Sequence, residues 1–335
     1  MSSTVSPTRF VIAGVPAVGF SKRLCPPMGV LESVLTYLDL KPDFSAMMAV
    51  SGGAWRRFYE RDDGGNVALD YLGPTIYERA CWATGCDCTV TLTDDRDAML
   101  ADIKASLMAG NPVVASIGGP EGGIVTGWDK DGETLIGWSY FQETGESYYE
   151  CPNWRTSLEG SPHVVVIGDP CDPADRRDVL VTSLVLALDL AHTSQRPEKP
   201  DHVAGLAAYD AWADGLLIDE DFPADDREIL DIRTVVYGDQ VCMVHDRAFG
   251  AQFLADCVPI APEAAEELKA AALTLARVPA TPDLYPWQAM PQSELVRQSL
   301  ASREVREDLV PRIRAARDWE AQALDHMAAA LERLV

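Results

Sequence analysis

Positive charge is what this chain has least of. Its 335 residues carry 28 Lys and Arg against 52 Asp and Glu, a formal net charge of -24 at pH 7. A surface of that sign repels polyphosphate backbones and anionic membranes, so neither nucleic acid nor a membrane is an expected partner. Long apolar runs are also missing, none approaching the roughly 18 to 20 residues that a bilayer-spanning helix needs. The opening Met-Ser-Ser-Thr-Val-Ser has neither the basic nor the apolar block of a signal peptide, and the expected location is the cytoplasm. Cysteine is sparse, with 8 in the chain, which implies free thiols rather than a disulfide scaffold. One cluster, Cys81-Trp-Ala-Thr-Gly-Cys86-Asp-Cys88, has the composition of a metal site. No second Cys-x-x-Cys or His-x-x-x-His pair stands at a usable spacing, so neither a metal nor a cofactor is expected. The cluster reads instead as a helix ending at Gly85 and a strand following it. Internal repeats and low-complexity segments are absent as well.

Apolar residues, by contrast, are plentiful: 47% of the chain is hydrophobic and 8% aromatic, enough to build the cores of two domains. Met28, Val30, Leu31, Val34, Leu35 and Leu38 recur at helical spacing after two prolines suited to a first turn, which predicts a helix with Cys25 near its N-cap. Unpaired amides and the positive end of the helix dipole favour a thiolate there, below the free thiol pKa of about 8.5. The competing reading is a buried thiol acting as a small hydrophobe. Further on, Ser51-Gly52-Gly-Ala-Trp55-Arg-Arg has glycines that suggest a close backbone approach beside a cleft.

Residues 77–83 and 96–109 have helical periodicity. Segments 112–117, 123–128, 133–138 and 163–168 read as successive antiparallel strands, with a hairpin loop at 129–132. Residues 175–190 are expected to form the helix that closes this first domain, 1–193, ahead of a proline-rich linker over 194–203. Everything beyond, 204–335, reads as helix, with a first apolar stripe of Leu206, Tyr209, Trp212, Leu216 and Leu217. Further helices are expected near 240–258, 262–276, 293–302 and 304–334, Pro311 kinking or restarting the last. Apolar stripes on these final helices suggest a homodimer.

The helix-starting Cys25, the Ser51-Gly-Gly-Ala-Trp55 segment, Pro112-Val-Val-Ala, Val125-Thr-Gly-Trp-Asp129 and Gly132-Glu-Thr-Leu-Ile136 together resemble the papain-like fold of bacteriocin-processing C39-type peptidases. They are similar, more closely still, to the N-terminal domain of the butirosin biosynthesis protein H family. The resemblance covers about residues 8–190. It implies an α+β fold, a papain-like domain with an antiparallel sheet, ahead of the all-α domain that the periodicity over 204–335 predicts. It further implies acyl transfer from a carrier-protein thioester to an amine, with Cys25 as nucleophile. The family histidine, about six residues before the Gly-Trp-Asp turn, is replaced by Glu121, and Trp138-Ser139-Tyr140 stands where the orienting acid is expected. The glutamine that precedes the family's nucleophile is missing from Phe20-Ser-Lys-Arg-Leu, so ordinary proteolysis is not the expected reaction.

A thiol nucleophile needs a proton acceptor, and imidazole suits neutral pH. Of 5 histidines only His163 falls within 1–193 apart from His192 at its end, and it is either that base or an ordinary residue at a strand entry. Glu121 is either a turn residue among glycines or a group that binds a substrate ammonium or relays a proton, since its charge would oppose a thiolate. Ser51, Gly52, Trp55, Trp128, Trp138 and Tyr140 are candidates for lining a substrate pocket, and core packing explains the aromatic ones equally well. Two functions remain open. One is a cysteine acyltransferase or amide-processing enzyme of a bacterial biosynthetic pathway, acting on an acyl-thioester, small-molecule or peptide substrate. The other is a catalytically degenerate relative that binds a small molecule or peptide in the former cleft.

Overall fold

The computed structural model describes residues 8–20, 22–65, 73, 75–115, 122–142, 146–156, 163–197, 199–280 and 294–335. In chain order the elements begin β1 (Phe10–Val11), α1 (Pro26–Tyr37), α2 (Phe44–Ser51), β2 (Phe58–Tyr59), α3 (Thr75–Thr84), β3 (Cys86–Leu92), α4 (Arg96–Met108) and β4 (Val113–Ala115). They continue β5 (Gly123–Asp129), β6 (Thr134–Ser139), β7 (Tyr149–Cys151), β8 (His163–Pro170), α5 (Arg176–His192) and β9 (Val203–Ala204). The remainder is α6 (Ala207–Gly215), α7 (Arg227–His245), α8 (Arg247–Cys257), α9 (Ala265–Leu275), α10 (Glu294–Ala301) and α11 (Arg303–Leu334). The fold is therefore mixed α+β, with an antiparallel sheet and a helical C-terminal region.

The chain forms two compact units, one of residues 1–47 and 73–174, the other of 48–72 and 175–335. In the first, a seven-stranded sheet has the order β3-β8-β4-β5-β6-β7, with β1 pairing on β5. Every pairing is antiparallel, and β5 holds β6 along one edge while β4 and then β1 share the other. Two glycines make the close approaches possible. A Cβ on Gly137 would lie 1.8 Å from the Ile124 carbonyl oxygen, and one on Gly127 2.3 Å from that of Phe10. The β5–β6 turn is built on Lys130, Asp131 and Gly132, all at positive φ, with the Asp129 carboxylate accepting from the Lys130 amide. Helix α1 packs against β4 and β5, and α4 against β4, β5 and β8.

The second unit is a helical assembly in which α11 packs against α5, α6, α9 and α10. Its two-stranded ribbon pairs Phe58 with Ala204 and Tyr59 with Val203. The expected domain limits change accordingly. Helix α5 belongs with the helical unit, into which it buries Leu180, Leu184 and Ala187, instead of closing the first domain at 193. The proline-rich 194–203 segment is no free tether, since its end forms β9, and the chain beyond it is not wholly helical. The helix expected near 240–258 starts at Arg227 and breaks at Asp246, whose carboxylate accepts a hydrogen bond from Arg56 instead of capping α8. Helix α11 is unbroken through Pro311, which is exposed, so the long apolar face made by Leu309, Ile313, Ala316 and Ala323 outweighs one missing backbone bond. Among the described residues no helix is long and apolar enough to cross a membrane.

Candidate functional site

Register draws a line across the first unit's sheet. Val164 pairs with Ala115, Ala115 with Gly123, and Gly123 with Ser139, so β4 ends, β5 begins, β6 ends and β8 begins at one edge of the layer. His163 stands one residue outside this row on β8 and Tyr140 one residue outside it beyond β6. The Tyr140 hydroxyl donates to the carbonyl of Arg23, two residues before Cys25. The segment entering α1 is thereby tied to the same end of the sheet as His163.

That segment is held at several points. Trp138 Nε1 donates to the Val15 carbonyl at 2.7 Å, and the Val15 amide donates to the Tyr148 hydroxyl at 3.1 Å. The Arg23 guanidinium forks onto Glu32, with Nε to Oε2 at 2.5 Å and Nη2 to Oε1 at 2.9 Å, and lies 4.0 Å over the Phe44 ring. Gly29 lets the segment cross the helix, because a Cβ there would meet Val18 at 2.9 Å and Arg23 at 3.0 Å. Trp128 is fully buried and stacks on Phe10 with centroids 5.0 Å apart. Three of the aromatic residues expected to line a pocket, Trp128, Trp138 and Tyr140, thus serve packing and positioning.

Cys25 is the N-cap of α1, as its spacing predicts, with an extended backbone and 0% exposure. Its thiol makes no capping bond to the helix. The helix start is poorer in donors than most, because Pro26 and Pro27 have no N–H and the Gly29 amide bonds the Cys25 carbonyl at 2.9 Å. Of the first three helical residues only Met28 carries an amide able to meet an anion. His163 is buried, and its Nε2 lies 2.9 Å from the Tyr77 hydroxyl in a shared hydrogen bond. Glu121 lies outside the described residues.

Ser51, Gly52 and Trp55 belong to the second unit. Gly52, at φ 97°, turns the chain out of α2, and the Ala54 amide returns to the Met48 carbonyl at 2.8 Å. Ser51 Oγ accepts from the Gly53 amide at 3.2 Å. Trp55 Nε1 donates to the Ala49 carbonyl at 2.8 Å. The glycine pair therefore makes a helix stop, and Trp55 is core.

The next two residues are the ones sequence reasoning missed. Arg56 donates to Asp246 at 2.7 Å with both side chains fully buried. Arg247 forks onto Glu320, Nε to Oε2 at 2.9 Å and Nη2 to Oε1 at 2.8 Å, and Glu320 also accepts from the Tyr209 hydroxyl at 2.5 Å. Arg57 lies 4.1 Å over Tyr209 and 4.9 Å over Trp212, and burial lowers its pKa to about 10. The only signal in the sequence is the arginine pair set between Trp55 and Phe58, with the adjacent opposite charges of Asp246-Arg247. The same unit carries an open cleft of about 360 Å³ lined by Glu60, Asp63, Lys199, Asp201 and His202. Asp63 sits 3.0 Å from Lys199 Nζ and 3.3 Å from His202 Nε2. The neighbouring His202, then Lys199 and the Gly65 amide, hold its carboxyl well below the usual carboxylate range against the cost of burial. Among the described residues no group of His, Cys, Asp and Glu is placed to hold a metal ion. No family model matches the chain, and no curated protein matches it.

Proposed function

We propose that the first unit is a papain-like cysteine fold that processes an acyl or amide group through Cys25. The observation that carries this reading is the row Val164, Ala115, Gly123 and Ser139, which brings the strand end bearing His163 and the anchored segment leading into Cys25 to one end of the sheet. A nucleophile at a helix N-cap and a base on a strand end is the pairing that thiol acyl transfer requires. The Met28 amide, at the first helical position that carries an N–H, is placed to meet an oxyanion. An acyl-thioester, small-molecule or peptide substrate fits this chemistry, and no metal or redox group is needed for it.

A second reading, a relative that has lost catalysis and binds a small molecule or peptide, is favoured by a different observation. Cys25 has no exposed surface and His163 is engaged by Tyr77. Incubation of the full chain with an aminoacyl thioester, followed by intact mass measurement, separates the two. A stoichiometric acyl adduct that maps to Cys25 and is lost in Cys25→Ser supports the enzyme. Thioester binding retained in Cys25→Ser, with no adduct in the native chain, supports the binding protein.

A further inference from the structure

Three thiols meet where α3 gives way to β3. Gly85, at φ 94°, reverses the chain, and its amide bonds the Cys81 carbonyl at 2.9 Å, bringing residue 86 back over the last turn of α3. Cys86 Sγ lies 3.7 Å from the same Cys81 carbonyl oxygen. Along β3 the exposure alternates, so Cys86 and Cys88 face one side while Asp87 faces solvent. Helix α3 packs on that strand, which sets the Cys81 thiol beside Cys86 and Cys88. The three sulfurs differ in access: Cys81 and Cys86 are buried, whereas Cys88 is half-exposed. They differ in proton affinity too. The neighbouring Cys86 and Cys88 push the Cys81 thiol far up, while Cys81 lowers Cys86 against the effect of burial.

We propose that Cys81, Cys86 and Cys88 form an oxidisable centre, separate from Cys25, in which a hydroperoxide converts Cys81 and Cys88 to a disulfide. The half-exposed Cys88 meets the oxidant. Its sulfur attacks the terminal peroxide oxygen, the O–O bond breaks, and Cys88 sulfenic acid and an alcohol (water, from hydrogen peroxide) are formed. Cys81 then attacks the Cys88 sulfur as its proton passes to Cys86. The S–S bond forms, the S–O bond breaks, and the departing hydroxide takes that proton and leaves as water. Two thiols are oxidised by two electrons and one peroxide is reduced. Cys86, in its thiolate form, accepts the Cys81 proton and hands it to the departing hydroxide, so it returns to thiolate and is not oxidised. The product staples the last turn of α3 to β3, which among the described residues pairs only with β8.

The test treats the full chain with hydrogen peroxide at neutral pH, alkylates remaining thiols with iodoacetamide under denaturing conditions, and maps peptides without reduction. The expected result is a Cys81–Cys88 linked peptide that dithiothreitol reverses, with Cys86 recovered alkylated. In Cys81→Ser the crosslink is lost and a 1,3-dione reagent traps sulfenic acid on Cys88. In Cys25→Ser the crosslink persists. Recovery of Cys81 and Cys88 as alkylated thiols under conditions that oxidise the exposed Cys171 would overturn the proposal. A link from Cys86 to either neighbour would overturn the assigned roles.

Discussion

Removing the carboxylate of Glu320 should cost the helical unit more than any single surface change. Glu320 accepts two bonds from Arg247 and one from Tyr209, and Arg247 is fully buried. Around it stand Arg56, Arg57 and Arg247 against Asp246 and Glu320, so the buried cluster is already one positive charge in excess. Deleting Glu320 raises the excess to two and leaves a guanidinium without its counter-ion. Stripping one partner from a buried pair costs about 3–5 kcal/mol, because the remaining charge stays desolvated. For a unit of this size each kcal/mol moves Tm by about 2–4 °C, so Glu320→Ala should lower the melting temperature by about 6–20 °C. The assay is thermal and urea unfolding followed by far-ultraviolet circular dichroism. A paired replacement, Arg247→Met with Glu320→Leu, fills similar volume without charge and should recover most of the loss. A cost below about 1 kcal/mol for Glu320→Ala, or a double variant no better than the single one, would refute the idea that desolvation dominates here.

The remaining expectations concern both units. Because the Asp63 carboxyl is held below its ordinary value, the stability it contributes is complete above the unfolded pKa of about 3.9 and is lost as pH falls through the folded value. Asp63→Asn should therefore flatten the acid limb of the stability profile below about pH 4, and an unchanged limb would count against the Asp63, Lys199 and His202 cluster. Pro311→Ala restores a backbone donor to the Glu307 carbonyl and should raise the urea midpoint, a gain of about 1–3 kcal/mol. Gly137→Ala puts a methyl group into the Ile124 carbonyl and should cost about 3 kcal/mol or more, against about 1–2 for Gly110→Ala, whose positive φ faces open space. Tyr140→Phe releases the Arg23 carbonyl, so native-state iodoacetamide labelling of Cys25 should speed up while that of Cys171 stays constant.

Much of the fold is legible in the sequence where one periodicity rules a whole segment. Strands β5, β6 and β8 lie within a residue or two of their expected limits, because Gly127-Trp128 and Gly137-Trp138 punctuate runs of buried apolar residues. The start of α1 is equally readable from Cys25 and its two prolines. Illegible are the pieces whose partners lie far along the chain. The ribbon of β2 and β9 joins two-residue strands about 145 positions apart, too short to leave a pattern. Helix α5 reads identically whether it closes one domain or opens the next, and only its packing on α8 and α11 decides. The long break of the compact units around residues 48–72 has the same origin. Composition names the glycines and arginines there but cannot say what they meet.

The candidate site shows the same division at finer scale. A cysteine at a helix start is a local feature, and the sequence finds it. Whether that start can stabilise a thiolate depends on counting the amides that remain, and Pro26 and Pro27 remove two of the four that a helix start normally offers. The prolines that announce the helix so clearly therefore weaken the electrostatic argument built on it. What compensates is distal: the Tyr140 hydroxyl, the Trp138 indole and the Arg23–Glu32 fork hold the entry segment, so the thiol is pre-positioned even where its local field is thin. On the proposed function, activation of Cys25 would rest on a side chain from the sheet end and not on the helix. A Cys25 labelling midpoint that stays near that of a free thiol in Pro27→Ala, where one amide is restored, would mean that the helix terminus has little hold on this sulfur. A midpoint that falls would show that the helix terminus does act on this sulfur and that the second proline weakens its hold.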